Sequence, residues 1–208
     1  QDKFKLIRED DVVLDVGCHP GGWSQVAVEL VGDGGKVIGV DLEPCQPVEG
    51  AILLVGDITE SSTQERIRSE LDGRVINNIV SDISPDITGN WDIDQAVAMT
   101  LVADVLDFSL DLLCKGGSFI TKIFQGVGIE ELIVAVKPYF SDVRRFSPMA
   151  SRNSSSEVYL ICRNHMPWVK RETPIRQTYE TLLDVKLNPE EEVVEEQEFT
   201  SFKLRKKK

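Results

Sequence analysis

Cysteine, histidine and basic residues are all scarce in this chain, and each shortage excludes something. The four cysteines, Cys18, Cys45, Cys114 and Cys162, lie far apart and no Cys-x-x-Cys occurs. Neither a zinc ribbon nor a disulfide-stapled scaffold fits that pattern, so the thiols are expected to be reduced. Cys18 and His19 with the remote Cys45 lack zinc-site spacing, and no metal is expected. No run approaches the roughly 20 apolar residues of a membrane-crossing helix, and no signal-peptide pattern opens the sequence. A soluble, cytoplasmic protein with no membrane partner is expected. Lys and Arg number 23 against 35 Asp and Glu. Residues 1–162 carry a net charge of −13 and residues 163–208 a net of +1, together −12. Phosphate binding depends on Lys and Arg, so composition alone argues against a nucleic-acid partner, and local patches must outweigh it if there is one.

What is present begins with length: 208 residues hold one full α/β domain and a modest appendage. The organising stretch is 12–23, Val-Val-Leu-Asp-Val-Gly-Cys-His-Pro-Gly-Gly-Trp. Its short, β-branched apolar run ending at glycine predicts a strand buried on both faces of a parallel sheet. Gly17, Gly21 and Gly22 permit a tight turn and close backbone approach of a ligand, and residues 24–31 read as the helix that follows. Strand, glycine loop and helix make the first unit of a Rossmann-like fold, with its ligand across the carboxyl ends of the strands. The dinucleotide fingerprint Gly-x-Gly-x-x-Gly is not met, because His19 stands where bare backbone is needed. A nicotinamide-dependent dehydrogenase is therefore excluded.

Further strands are predicted over 36–40, 51–55, 75–80, 118–123, 143–146 and 157–162, and helices over 59–71, 91–113 and 130–140. Seven strands, mostly parallel, with helices on both faces are the expected architecture. Asp41 ends the second strand, where a carboxylate can accept hydrogen bonds from both ribose hydroxyls. Asp57, beside Gly56 at the end of the third, suits an adenine amino group. Asp82 leaves the fourth strand next to the glycine loop, at the switch point of the sheet. Lys122 is a lone lysine inside an otherwise apolar strand, costly unless partnered, and so calls for a reason. From residue 163 the character changes: an irregular stretch with two prolines, a short helix within 179–187, an acidic run over 190–198 and a basic end. The domain is expected to span 1–163 and the remainder to form a partly disordered extension.

Asp15-x-Gly17 followed by Pro20-Gly21-Gly22-Trp23 resembles the first motif of S-adenosylmethionine-dependent methyltransferases of the FtsJ type, which act on ribose 2'-hydroxyls of ribosomal RNA. Three later stretches add to the resemblance in order: Ser81-Asp82-x-x-Pro85, the run from Gly116-Gly117-Ser118 through Lys122 to Gln125-Gly126, and Ser151-Arg152-x-x-Ser-x-Glu157. The chain is identified as an archaeal-like member of that family over residues 12–162. Asp86 departs from the asparagine frequent after the proline, and Cys18-His19 from the small residues usual before Pro20.

The resemblance implies a Rossmann-like methyltransferase fold and S-adenosyl-L-methionine as cofactor, held by Gly17, Gly21, Gly22, Trp23, Asp41, Asp57 and Asp82. It implies Lys122 as general base, with Asp82 and Glu157 orienting it, as three members of a Lys-Asp-Lys-Glu tetrad. The first tetrad lysine has no match: Lys3 and Lys5 sit too close to residue 12. Because the chain opens at Gln1 rather than Met, that lysine is expected on an upstream arm. The implied substrate is a uridine of large-subunit ribosomal RNA, met by a monomer. Transfer RNA, an mRNA cap and a non-catalytic RNA-binding role in ribosome assembly are the alternatives.

Overall fold

The computed structural model describes residues 4–85, 88–147 and 157–189, and the backbone only of Trp91 and Asp92. Asp86, Lys3, Ser151-Arg152 and the charged tail from residue 190 lie outside the described residues. Seven strands form one sheet: β1 (Val12–Val16), β2 (Lys36–Asp41), β3 (Ala51–Val55), β4 (Ile76–Ser81), β5 (Leu113–Phe124), β6 (Phe140–Phe146) and β7 (Glu157–His165). Their order is β3-β2-β1-β4-β5-β7-β6, parallel except for β7, which runs antiparallel to both neighbours. The chain reverses direction across the sheet between β1 and β4, which opens a crevice at their carboxyl ends.

β1 is buried at every position, as its unbroken apolar run requires of a central parallel strand. Helices cover both faces, but unequally. α2 (Ser61–Leu71), α3 (Trp91–Leu110), α4 (Ile129–Val136) and α5 (Ile175–Leu187) share one core with Leu14, Ile38, Ile79, Phe119 and Leu160. α1 (Gly22–Val31) covers the other face, where Val13, Val37, Val80, Ile120 and Ile161 point. Beyond α1, that face carries an apolar groove of about 440 Å³ over Val80, Ile120 and Ile161, bordered by Phe4, Ile7, Trp23 and Tyr159.

Several element boundaries differ from those expected. The helix expected over 91–113 stops at Leu110, and Leu113 already pairs with Ile76 as the first residue of β5. Gly116 and Gly117 thus mark a register shift inside a strand rather than a helix stop. The helix expected to reach residue 140 ends at Val136 and tightens into a 3-10 turn at Lys137–Tyr139, where Pro138 has no backbone N–H to continue it. Past residue 163 the core continues: β7 runs to His165, which is buried and whose Nδ1 lies 3.0 Å from the Leu113 carbonyl. α5 inserts Ile175 and Tyr179, both essentially unexposed, between α3 and α4. Asp107 fixes its start by accepting from the backbone N–H groups of Ile175 and Arg176 at 2.6 and 3.0 Å. No described helix is long and apolar enough to cross a membrane.

Candidate active site

Strand alternation sets the site. Asp15 pairs with Val80 in register, Val80 with Ile120 and Ile120 with Ile161, so these side chains share the α1 face. Two residues further along each strand, Asp82, Lys122 and Tyr159 fall on the same face, and the next antiparallel pair with that parity adds Glu157. Asp41, two residues past Gly39, joins the row from β2. Counting Asp15, six polar groups at the ends of five strands thereby face one crevice.

Lys122 Nζ lies 2.5 Å from Asp82 Oδ1 and 3.7 Å from Glu157 Oε1. Its side chain is 19% exposed, that of Glu157 46%. Burial acts to lower the lysine's pKa, but the hydrogen bond and charge of Asp82, then the charge of Glu157, outweigh it and leave the pKa raised. Lys122 is therefore a cation here, and the reason for a lysine in an apolar strand is a pair of carboxylates. Tyr159, its direct cross-strand partner, stacks on Trp23 with ring centroids 6.1 Å apart. Burial first, and then Asp82, raise the tyrosine's pKa.

The glycine loop wraps the other side of the crevice. Gly17 has φ +76°, and a Cβ there would lie 2.8 Å from the backbone N and Cα of Ile83, so the loop and the segment after Asp82 are in direct backbone contact. Gly21, at φ 117°, caps α1, which starts at Gly22 rather than at residue 24 and carries Trp23 in its first turn. Asp41 clamps the loop: Oδ2 accepts from His19 N at 2.8 Å and Oδ1 from Glu43 N at 2.9 Å. Asp57 lies at the β3 end of the same edge, its Oδ1 accepting from Thr59 N and Oγ1 at 2.8 and 2.7 Å. Asp41 and Asp57 thus have loop-building roles that the sequence did not disclose. Lys5 lines a polar pocket with Arg8, Asn77, Lys115 and Ser118 around the starts of β1, β4 and β5, the opposite end of the sheet from Lys122.

Asp15 was not among the expected site residues. It is fully buried; Ser24 Oγ donates to its Oδ2 at 2.6 Å while Oδ1 has no hydrogen-bond partner among the described residues. Burial first, and then the charges of Asp82 and Asp41, lift its pKa to about 6 against the pull of Ser24. The available signal was an acidic residue in a strand otherwise apolar on both faces, which cannot be there for packing. A crevice where Asp82 and Asp41 disfavour the charge of Asp15 suits a ligand that brings positive charge.

A seven-stranded sheet whose last strand runs antiparallel, with a glycine loop and strand-end acids at its switch point, defines a Rossmann-like methyltransferase fold. The chain belongs to the FtsJ-like methyltransferase family, whose model matches residues 1–165. It is 41% identical over 168 residues to ribosomal RNA large subunit methyltransferase E of Methanocaldococcus jannaschii, covering 79% of this chain and 69% of that protein. The protein of the same name from Methanothrix thermoacetophila is 44% identical over 160 residues, covering 77% of this chain and 62% of its own length. The chain thus spans roughly two thirds of these relatives. Among solved structures, a Plasmodium falciparum ribosomal RNA methyltransferase superposes with a TM-score of 0.70 at 25% identity, covering 79% of this chain and 91% of that one. A Streptococcus mutans methyltransferase solved in complex with SAH shares the fold, with a TM-score of 0.50 at 11% identity over 76% and 89% of the two chains.

Proposed function

We propose that the protein transfers a methyl group from S-adenosyl-L-methionine to a ribose 2'-hydroxyl, that of a uridine in large-subunit ribosomal RNA, acting as a cytoplasmic monomer. The observation that carries this reading is Lys122, held between Asp82 and Glu157 beside the glycine loop. A non-catalytic RNA-binding factor has no use for a half-buried lysine flanked by two carboxylates.

Gly17, Gly21, Gly22, Trp23, Asp41, Asp57 and Asp82 are the residues that would hold the cofactor, and Asp15 joins them. When bound, S-adenosylmethionine supplies a methyl group activated by a sulfonium centre. The positive charge of that ligand suits the carboxylates of this crevice, above all the orphaned Oδ1 of Asp15. Asp82 and Glu157 hold Lys122 as a cation, so it must give up that proton before it can act as a base. Lys122 then accepts the proton of the ribose hydroxyl, while Asp82 and Glu157 fix the position of its ammonium group. That the archaeal relatives are ribosomal RNA large subunit methyltransferases supports ribosomal RNA as the substrate class.

Incubating the protein with total cellular RNA and labelled cofactor, then mapping the modified nucleotide, tests the proposal. Label in large-subunit ribosomal RNA at one alkali-resistant 2'-O-methyluridine is expected. Label confined to transfer RNA or to a cap would overturn the substrate, and label on a base would overturn the chemistry.

A further inference from the structure

Cys18 stands in the glycine loop and Cys45 in the segment that follows Asp41, 27 residues later, yet their Sγ atoms are 3.3 Å apart. Both are free thiols. Cys18 is 3% exposed, whereas Cys45 is half-buried and reachable from solvent. The seat of Cys18 is built. A Cβ on Gly39 of β2 would lie 2.9 Å from Cys18 Sγ, so only glycine there leaves room for the thiol. The backbone around the pair is pinned, with Cys18 N donating to the Val40 carbonyl at 3.3 Å and His19 N to Asp41 at 2.8 Å. The second loop packs on the first, since a Cβ on Gly21 would lie 3.3 Å from Val48 Cγ2. Burial and the neighbouring sulfur push the pKa of Cys18 up, so it is the protonated partner, and Cys45 is the one exposed to reagents.

We infer that Cys18 and Cys45 form a redox-responsive dithiol that closes to an intramolecular disulfide, stapling the glycine loop to the loop after Asp41 and so restricting exchange of whatever ligand those loops border. The oxidant is a small-molecule disulfide such as oxidised glutathione. The Cys45 thiolate attacks one of its sulfurs, forming a mixed disulfide and releasing one thiolate. The Cys18 sulfur then attacks Cys45, expelling the second. Two protein thiols become one disulfide, one disulfide becomes two thiols, and the protons lost by the cysteines end on the released thiolates. Closing the gap from 3.3 Å to the bonded length of about 2.05 Å needs only a small approach of the more exposed loop. Because the two loops enclose the ends of β1 and β2, a bond between them removes the freedom with which the crevice opens. That this ligand is the cofactor rests on the function proposed above; formation of the bond does not.

The test uses the whole chain, reduced and then exposed to oxidised glutathione without oxygen, with thiols mapped by alkylation and peptide mass spectrometry. Loss of two of the four thiols into one Cys18–Cys45 linked peptide is expected, with a higher thermal midpoint that dithiothreitol reverses and that Cys45→Ser does not show. Four reactive thiols after treatment, glutathione adducts alone, or a bridge through Cys114 or Cys162 would overturn the inference. Release of S-adenosylhomocysteine, followed by stopped flow, is expected to be roughly tenfold slower from the oxidised form. Equal release rates with the bridge in place would overturn the restriction on exchange. Absence of binding to the reduced form would instead count against the cofactor, with the thiol map deciding the bridge by itself.

Discussion

Gly17 and Ile83 meet backbone to backbone: a single added carbon on the glycine would sit 2.8 Å from both the N and the Cα of Ile83. The glycine loop and the segment carrying Asp82 are therefore one packed unit, further tied by Asp82 N donating to the Val16 carbonyl at 3.0 Å. Gly17→Ala should cost at least about 2 kcal/mol, from the positive φ and the overpacking together. Chemical denaturation of the variant measures this, and calorimetry should find its affinity for S-adenosylmethionine lost. Wild-type stability would show that the segment after Asp82 yields freely.

Lys122→Ala should leave cofactor affinity nearly unchanged while methyl transfer falls by ~10² or more. Single-turnover assays with labelled cofactor separate the two quantities. A variant retaining the wild-type rate would remove Lys122 from the chemistry.

The raised pKa of Lys122 gives its pH dependence a direction. A group held as a cation becomes a base only as pH climbs, so single-turnover methyl transfer should rise with pH above neutrality. Glu157→Gln removes one of the charges that raise this pKa, and the rise should move to lower pH even as the maximum rate drops. A pH–rate profile of the two proteins decides it, an unshifted profile being the contrary result.

Asp15 gives stability a second pH dependence. Its folded pKa of about 6 lies above the unfolded value of 3.8. The folded state therefore holds the proton more tightly. The favourable contribution is fully present below pH 3.8 and is lost as pH rises through about 6. The window is about two pH units, so the loss is roughly 3 kcal/mol at most. Denaturation of the ligand-free protein across that range should show this fall, and Asp15→Asn should flatten it. The same slope in both proteins would assign it to other groups.

Asp41 bridges His19 and Glu43 through its two carboxylate oxygens. Asp41→Ala should weaken S-adenosylmethionine binding by about tenfold or more, through loss of a charged acceptor and a looser loop. Equal calorimetric affinities for variant and wild type would take Asp41 out of the site.

The sequence by itself determined the elements whose signals are local. An unbroken β-branched run, a glycine turn and an apolar periodicity act within a dozen residues, so β1, its loop, α1 and the sevenfold strand count were legible before any fold was known. Lys122 was legible for a related reason, since a charge in an apolar strand violates a rule that needs no tertiary context. Tertiary structure decided what depends on the far side of a contact. Leu113 opens β5 instead of closing α3 because Ile76 is there to pair with it; a leucine satisfies either period. Tyr179 is core only because α3 and α4 leave a gap for α5. Asp15, Asp82, Lys122 and Glu157 share a crevice because β1, β4, β5 and β7 lie side by side in that order. Whether Lys122 is charged turns on a distance of 2.5 Å to Asp82, and electrostatic energy depends on such separations, which composition and spacing do not contain.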